Sequence, residues 1–515
     1  MSIVQRLFGF VPRLWVNWIA LLGTTLTTVS GNAILIVGVV DIVTAGANNY
    51  MATFGYLMMP IVFVIGLALI ALGIWKDHRR HKAGGEKATI ARAYDMVMTD
   101  PSSRRRVTFV IVATLLNVTL ISVAAFKGIT YMNSPTFCGQ LCHSVMKPEY
   151  GAYRRSPHAR VPCVDCHIGA GASWFVRSKL SGMRQVWATF TGDFSRPIPT
   201  PVEHLRPARE TCEKCHWPSQ FHGERLLVRH IFKDDEKNTR QTDVVRLHVG
   251  GENRRTLDYE GIHWHVAPDV RIEYDALDRR RTKIGTITMT HKGKTTVFRA
   301  PEKSVDGAAG GAAKATKGKK VFERRVMDCV DCHNRPTHIY DPSPEVAVDR
   351  ALSLRKLDPS LPFLRKQAVA LLKDTAWDKS GARGDAKGDE DENKVRERSA
   401  AHFTKELKRY FVKAYPEVAR TKAASIERAG RELGWIYRRN VFPSLKITWG
   451  TYPSHLGHRN TDEGCFRCHD DEHTAKPSGK EEKTVPQDCD LCHEVLAQEE
   501  EKPDLPETVL RLGGM

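Results

Sequence analysis

Cys163-Val164-Asp165-Cys166-His167 is one of five stretches with the pattern Cys-x-x-Cys-His. The others are Cys212-Glu213-Lys214-Cys215-His216, Cys329-Val330-Asp331-Cys332-His333, Cys465-Phe466-Arg467-Cys468-His469 and Cys489-Asp490-Leu491-Cys492-His493. A sixth, Cys138-Gly139-Gln140-Leu141-Cys142-His143, carries one extra residue. Together they use all 12 cysteines. The spacing has a chemical reason. Two thiols two residues apart can reach both vinyl groups of one haem, and the next residue then sits under the iron, where its imidazole is the proximal ligand. Paired cysteines can also bind zinc or form disulfides. Neither use requires His after every second Cys. His is 21 of 515 residues, so six such placements by chance are on the order of one in 10⁸. The pattern predicts six covalently bound haem c groups, with His143, His167, His216, His333, His469 and His493 on the irons. The first motif must bulge to hold the same two thioethers.

Leu14–Val40, Phe54–Trp75 and Val107–Phe126 contain no charged residue. Each is long enough to cross the roughly 30 Å hydrocarbon core as a helix. The first is too long for a cleaved signal segment and lacks a cleavage site, so it is a retained anchor. The connection from Lys76 to Arg106 carries nine Lys and Arg, and that from Asp41 to Thr53 carries none. The positive-inside rule places the N-terminus and the basic connection in the cytoplasm. Three crossings of a bacterial inner membrane then deliver everything after Lys127 to the periplasm, where haem c is attached. Thr24, Thr25, Thr27, Thr28, Ser30 and Asn32 make the first span unusually polar. Interhelical hydrogen bonding is the expected use, and a quinone contact the sharper alternative.

With 42% apolar residues the chain can build cores, so general disorder is excluded. The balance of 77 Lys and Arg against 59 Asp and Glu leaves +18. No basic stripe interleaved with aromatics accompanies it, so nucleic acid is not an expected partner. Six haems would bring roughly −12 in propionates and leave about +6. The expected fold is a membrane-anchored, mainly α multihaem cytochrome with a small β-rich insert. The expected divisions are a three-helix anchor over 1–126, a three-haem domain over 127–224, a β-rich insert over 225–303, a Gly/Ala/Lys linker over 304–320, and a helical three-haem domain over 321–515. Within the insert, Ile284–Thr290 and Thr295–Arg299 predict a hairpin through His291-Lys292-Gly293-Lys294. Glu345–Lys356, Leu364–Lys373 and Arg396–Tyr415 show helical periods, broken by a charged Gly-rich loop over Lys379–Asn393.

A lone His is more often a surface or core residue than a ligand, but six irons need distal ligands. His78 and His81 fall on the cytoplasmic side. His158, His338 and His473 lie close to motifs, and His230, His263, His265, His455 and His458 are further candidates. Met146, four residues after Cys142, is a candidate for the first iron or an ordinary packing residue.

From about Val107 through Trp217 the chain resembles the NapC/NirT/NrfH family of membrane-anchored multihaem cytochromes. The likeness runs through the membrane helix, Phe137–Met146, Ser156-Pro157-His158 before Cys163–His167, Trp174–Trp187 and Cys212–His216. The longer layout, with three spans and further motifs after an insert, is similar to the ImcH type of inner-membrane cytochrome, which usually has one more haem motif. The resemblance implies oxidation of a membrane quinol, menaquinol or ubiquinol, and electron relay to periplasmic cytochromes or a terminal reductase. In the family the first haem lies beside the quinol pocket, to which the helix after the second motif supplies a Lys and an Asp. Lys179 is nearest to that Lys, one position out of register, and Gln185 stands at the Asp position.

The residues lead to a similar place. Eleven residues separate Phe126 from Cys138, which keeps the first haem near the membrane surface. Trp174–Phe190 mixes Arg177, Lys179 and Arg184 with Trp174, Phe175, Val176, Leu180, Val186 and Trp187, a composition suited to the interface or to packing on the second haem. Quinol oxidation also needs a polar proton acceptor, for which Gln185, Glu149 or a propionate are candidates. A quinol-oxidising conduit is the favoured reading. A terminal reductase of a small substrate such as nitrite would need a five-coordinate iron. A structural electron-transfer subunit of a larger complex would need neither that iron nor a quinol site.

Overall fold

Three helices are long and apolar enough to cross a membrane, over Trp18–Val40, Phe54–Gly73 and Leu115–Met132. They belong to the helices Trp18–Val43, Met59–His81 and Pro101–Met132, with a π-helical turn, Phe54–Met58, opening the second. The third outruns its apolar stretch, so only five residues separate Met132 from Cys138. The computed structural model describes residues 18–43, 51, 54–81, 99, 101–141, 143–168, 172–202, 207–217, 223–253, 255–256, 258–301, 321–374, 389–458, 464–476, 482–507 and 509. The expected linker over 304–320 lies outside them. The chain forms two compact units, Met1–His143 and Ser144–Met515.

Within the first unit, small residues let two helices approach closely. A Cβ on Gly23 would stand 2.6 Å from the Gly66 carbonyl oxygen, and one on Gly73 would stand 2.8 Å from the Ala20 Cβ. A Cβ on Gly66 would collide with the Thr27 hydroxyl. Such seams replace the hydrophobic drive that lipid cannot supply. The polar residues of the first span bond within their own helix rather than across to a neighbour. Thr24 donates to the Ala20 carbonyl at 2.8 Å, Thr27 to Gly23 at 2.8 Å, Ser30 to Leu26 at 2.5 Å and Asn32 to Thr28 at 2.9 Å. The interhelical bonds expected of Thr24, Thr27, Ser30 and Asn32 are thus replaced by back-bonds one turn away, because a short hydroxyl reaches its own carbonyl without waiting for a partner.

The second unit has an α core and a β core. Helices Pro344–Ser353, Leu364–Lys373, Asp389–Ala414 and Ala423–Asn440 bury Leu352, Leu364, Phe403, Leu407, Phe411, Leu433 and Ile436 together. Ser343 caps the first by accepting from the Val346 N–H, with Pro344 at the first helical position. The helix expected over Arg396–Tyr415 begins earlier, at Asp389. Of the charged loop expected over Lys379–Asn393, the residues before 389 lie outside the described residues. Inside the core, Arg365 donates to Asp349 at 2.7 and 3.1 Å, so both charges are paired.

The strands are β1 Arg225–Phe232, β2 Arg240–Leu247, β3 Gly251–Glu252, β4 Tyr259–Glu260, β5 Val270–Ala276, β6 Ile284–His291, β7 Lys294–Arg299, β8 Glu323–Val326, β9 Thr474–Ala475, β10 Lys483–Thr484 and β11 His493–Glu500. One sheet runs β1-β2-β11 and another β10-β9-β7-β6-β5-β8. The segment expected as an insert therefore completes both sheets with strands from the C-terminal part. The expected hairpin is present with a tighter turn. β6 and β7 are joined by Lys292 and Gly293 alone, with φ of 46° and 76°. Two successive positive φ values make the two-residue turn that matches strand twist.

The long helical pair Asp389–Ala414 and Ala423–Asn440 closes on another glycine seam. A Cβ on Gly434 would stand 2.6 Å from the Ala400 Cα. Gly434→Val should cost about 1–3 kcal/mol through overpacking. Chemical denaturation followed by helical circular dichroism would measure it, and an unshifted midpoint would contradict the seam.

Candidate haem sites

The regular motifs sit on short helical turns, Cys163–His167, Arg209–Cys212, Cys329–Cys332, Gly464–Arg467 and Cys489–Leu491. A turn brings residues three and four apart onto one side. The main-chain N–H groups of His216, His333 and His469 donate to the carbonyls of Cys212, Cys329 and Cys465 at 2.8, 2.8 and 3.1 Å. Each His is thereby swung to the side of its motif's first Cys. In the first motif the extra residue falls in a π-helical turn, Phe137–Leu141. That wider turn supplies the bulge its spacer needs. Cys142 and the His143 side chain lie outside the described residues.

Each His of the five regular motifs faces a second imidazole. Ring centres are 6.1 Å apart for His167 and His338, 5.9 Å for His216 and His158, and 6.5 Å for His333 and His263. They are 5.7 Å apart for His469 and His265, and 6.0 Å for His493 and His458. A metal with a ring nitrogen at about 2 Å on either side separates the two ring centres by about 6 Å. The residues present therefore fit an iron between each pair. Burial pushes His167, His263, His265, His333 and His458 below the ordinary imidazole range. Neutral rings have a lone pair to give. Among the described residues no cluster of three or more His, Cys, Asp or Glu could hold a metal ion, and the described cysteines are free thiols, not disulfides.

Residues 100–199 match the N-terminal region of the NapC/NirT cytochrome c family. Over 497 residues the chain is 38% identical to the cytochrome c-type protein ImcH of Geobacter sulfurreducens, covering 96% of this chain and 90% of that protein. The chain belongs to the ImcH-type cytochrome c family. No solved structure matches it. As a family member this ImcH-type cytochrome is an electron-transport protein with covalently bound haem c and membrane helices.

Three candidate histidines of the cytochrome face no motif imidazole among the described residues. His473 is buried, and its Nδ1 lies 2.7 Å from Asp470. His455 is buried with both ring nitrogens unpartnered, and burial pushes it down to about 4. His230 Nδ1 contacts the Thr242 hydroxyl at 3.0 Å. Met146 is half-buried on the helix His143–Tyr153.

The second to sixth motifs are joined in chain order. His158, which faces His216 of the third motif, stands five residues before Cys163 of the second. The Ala208 N–H, just before the third motif, donates to Asp328, just before the fourth, at 2.8 Å. Arg467 of the fifth donates to the Asp331 carbonyl of the fourth at 2.6 Å. His263 and His265, from one 3-10 turn, face the fourth and fifth motifs. Phe466 of the fifth stacks on His458, opposite the sixth, at 4.1 Å.

Lys179 and Gln185 both lie on the helix Ala172–Thr191. Six residues at about 100° each set them about 120° apart, so they do not share a face. Lys179 is half-buried on the side that carries Met183, Val186 and Phe190, all exposed. Gln185 is exposed and donates to the Ser181 hydroxyl at 3.2 Å.

A buried charge cluster that the motif pattern does not reveal braces the fourth site. Asp331, inside Cys329–Cys332, is 1% exposed. It accepts from the Tyr274 hydroxyl at 2.5 Å, from Arg325 at 3.1 Å and from its own neighbour, the Asp328 N–H, at 2.7 Å. Arg281 lies 3.6 Å away. Burial and the Asp331 carboxylate push the Tyr274 hydroxyl up, so it remains a donor. Asp331→Asn leaves two guanidinium groups without this counter-charge. Breaking a buried pair costs about 3–5 kcal/mol, so the denaturation midpoint of the holoprotein should fall accordingly, and an unshifted midpoint would refute the brace.

Proposed function

We propose that this ImcH-type cytochrome oxidises a membrane quinol, menaquinol or ubiquinol, and relays the electrons through six haems to periplasmic cytochromes or a terminal reductase. The N-terminus is cytoplasmic, and the motifs lie on the periplasmic side of the inner membrane. The observation that carries this reading is the opposed imidazole at each of the five regular motifs, in chain order. Haem c supplies one-electron redox chemistry. An iron held by both imidazoles of a pair would have no position for a small substrate, which favours a conduit over a reductase at these five sites. His158, His338, His263, His265 and His458 are the distal ligands in this reading, and Met146 serves the first site. His473 faces no motif imidazole among the described residues and is assigned no iron.

The quinol end follows from the five-residue connection between Met132 and Cys138 and from the amphipathic helix Ala172–Thr191. A basic residue on the apolar face of such a helix suits the membrane interface, where its stem stays in the apolar layer and its ammonium reaches polar groups. In this reading Lys179 orients a quinol oxygen there. Gln185, on another face, has an amide that can pass a hydrogen bond but cannot take up a proton at neutral pH. That leaves the two protons to another group, with Glu149 or a propionate the remaining candidates.

The ligand reading has a direct test. Denaturing mass should exceed that of the apoprotein by six haems, and five would strike out the Cys138–His143 motif. His265→Ala should keep that mass, since its thioethers are intact, and should convert one iron from low to high spin in electron paramagnetic resonance. An unchanged spectrum would refute the pairing with His469.

The quinol reading is tested in membranes by the rate at which added quinol reduces the haems. Lys179→Leu should slow that reduction several-fold, while haem content and reduction by dithionite remain unchanged. Unaltered quinol kinetics would remove Lys179 from the site, and absence of quinol reduction in the unmodified protein would overturn the function.

A further inference from the structure

The paired imidazoles are held in different ways at Nδ1. His263 Nδ1 contacts the Val249 carbonyl at 3.0 Å, His265 that of Ile262 at 2.8 Å, and His469 that of Pro486 at 2.8 Å. His158 and His493 have no Nδ1 partner. His338 differs. Its Nδ1 hydrogen-bonds the Glu149 carbonyl at 3.1 Å and also lies 3.0 Å from the Glu149 carboxylate. Among the described paired rings it is the one that meets a carboxylate.

Glu149 is itself held. Arg335 donates to both of its carboxylate oxygens at 3.0 Å. The same guanidinium donates to the His338 carbonyl at 2.7 Å and lies 4.2 Å from the Tyr452 ring centre and 5.1 Å from that of Tyr340. The Glu149 side chain is only 15% exposed. The carboxylate therefore has little freedom to leave the ring and little water to weaken its bond.

We propose that Glu149 is the positioning residue of the second site, where its carboxylate holds His338 through Nδ1, leaves Nε2 facing His167, and lowers the midpoint potential below that of the other paired sites. This rests on the reading of His167 and His338 as one axial pair. The physical cause is donation. A carboxylate that accepts the Nδ1 proton makes the imidazole more basic at Nε2, and a stronger donor favours the oxidised metal. A backbone carbonyl is a neutral acceptor and does this less. Arg335 offsets the net charge of Glu149, so the hydrogen bond rather than bare charge sets the difference.

The experiment is a potentiometric titration of the full-length holoprotein in detergent, with electron paramagnetic resonance of the oxidised form. The axial pair is checked first. His338→Ala should convert one low-spin iron to high spin, and an unchanged spectrum would show that the pairing itself is wrong. Glu149→Gln should then raise the lowest-potential low-spin component while haem content and the number of low-spin irons stay the same. Glu149→Gln combined with Arg335→Gln should keep that component raised. A titration that superimposes on the unmodified protein overturns the proposal. So does a return to the original potential in the double variant, which would mean that only net charge matters. A new high-spin iron in Glu149→Gln also overturns it, because Glu149 would then serve only to keep the ligand in place. If Glu149→Gln does not assemble, Glu149→Asp retains the charge but shortens the reach to His338. It must raise the same component, and no rise overturns the proposal.

Discussion

Two imidazoles held with their ring centres about 6 Å apart make the constraint on which the second unit depends. Such a pair has to be met from distant parts of the chain. His167 faces His338, and His265 faces His469. Local structure can place a proximal His relative to its own cysteines, but only tertiary folding can bring the opposing ring. The fold answers with shared sheets. β2 pairs with β11, which begins at His493, and β7 pairs with β9, close behind the fifth motif. These ladders tie the segment carrying His263 and His265 to the C-terminal motifs those rings serve or adjoin. The stretch 163–217 contributes only Ala208 to the buried apolar set among the described residues. Its order therefore depends on the motifs and their partners more than on an apolar core, as expected where binding and folding are coupled.

Charge placement follows from the same constraint. Burial pushes His167, His263, His265, His333 and His458 below the ordinary imidazole range, which favours the neutral ring at those positions. Where carboxylates enter, they are paired. Glu149 is clamped by Arg335, and Asp331 by Arg325 and Tyr274. For Glu149, burial raises the carboxyl, but the bonds from His338 and Arg335 outweigh it and hold the group below the usual carboxylate range. These clamps stabilise the surroundings of the motifs without placing an uncompensated charge beside an iron site. The α core of Leu352, Phe403, Leu407 and Leu433 provides separate, ordinary apolar stability.

The anchor solves a different problem with small residues. Gly23, Gly66 and Gly73 let two helices touch backbone to backbone. Thr24, Thr27 and Ser30 satisfy their hydroxyls on their own helices. A polar-rich span can therefore lie in lipid without a bound partner, which removes one reason to read its hydroxyls as a quinone contact.

The cysteine-histidine pattern and the charge-free runs made the class of protein legible from sequence, because attachment chemistry and bilayer thickness impose spacings that few other functions share. Helix Leu364–Lys373 was legible to the residue from its apolar period. The hairpin was legible in place but not in turn length, because Lys292 had to adopt a positive φ that its identity does not announce. The bulge in Cys138–His143 was foreseeable from one extra residue, and the π-helical turn is its physical form. The partners of the proximal histidines were not legible beyond a pool of candidates. His158, His263, His265, His338 and His458 look no different in sequence from His230, His455 or His473, since an imidazole acquires a partner only through long-range packing. The same holds for Glu149 and Arg335, which lie 186 residues apart. Sequence by itself determined the apolar runs, the Cys-x-x-Cys-His motifs and the His that closes each, all set by local spacing. Tertiary structure alone decided which ring faces which and which carboxylate touches it, because those contacts exist only where distant segments of the chain are folded together.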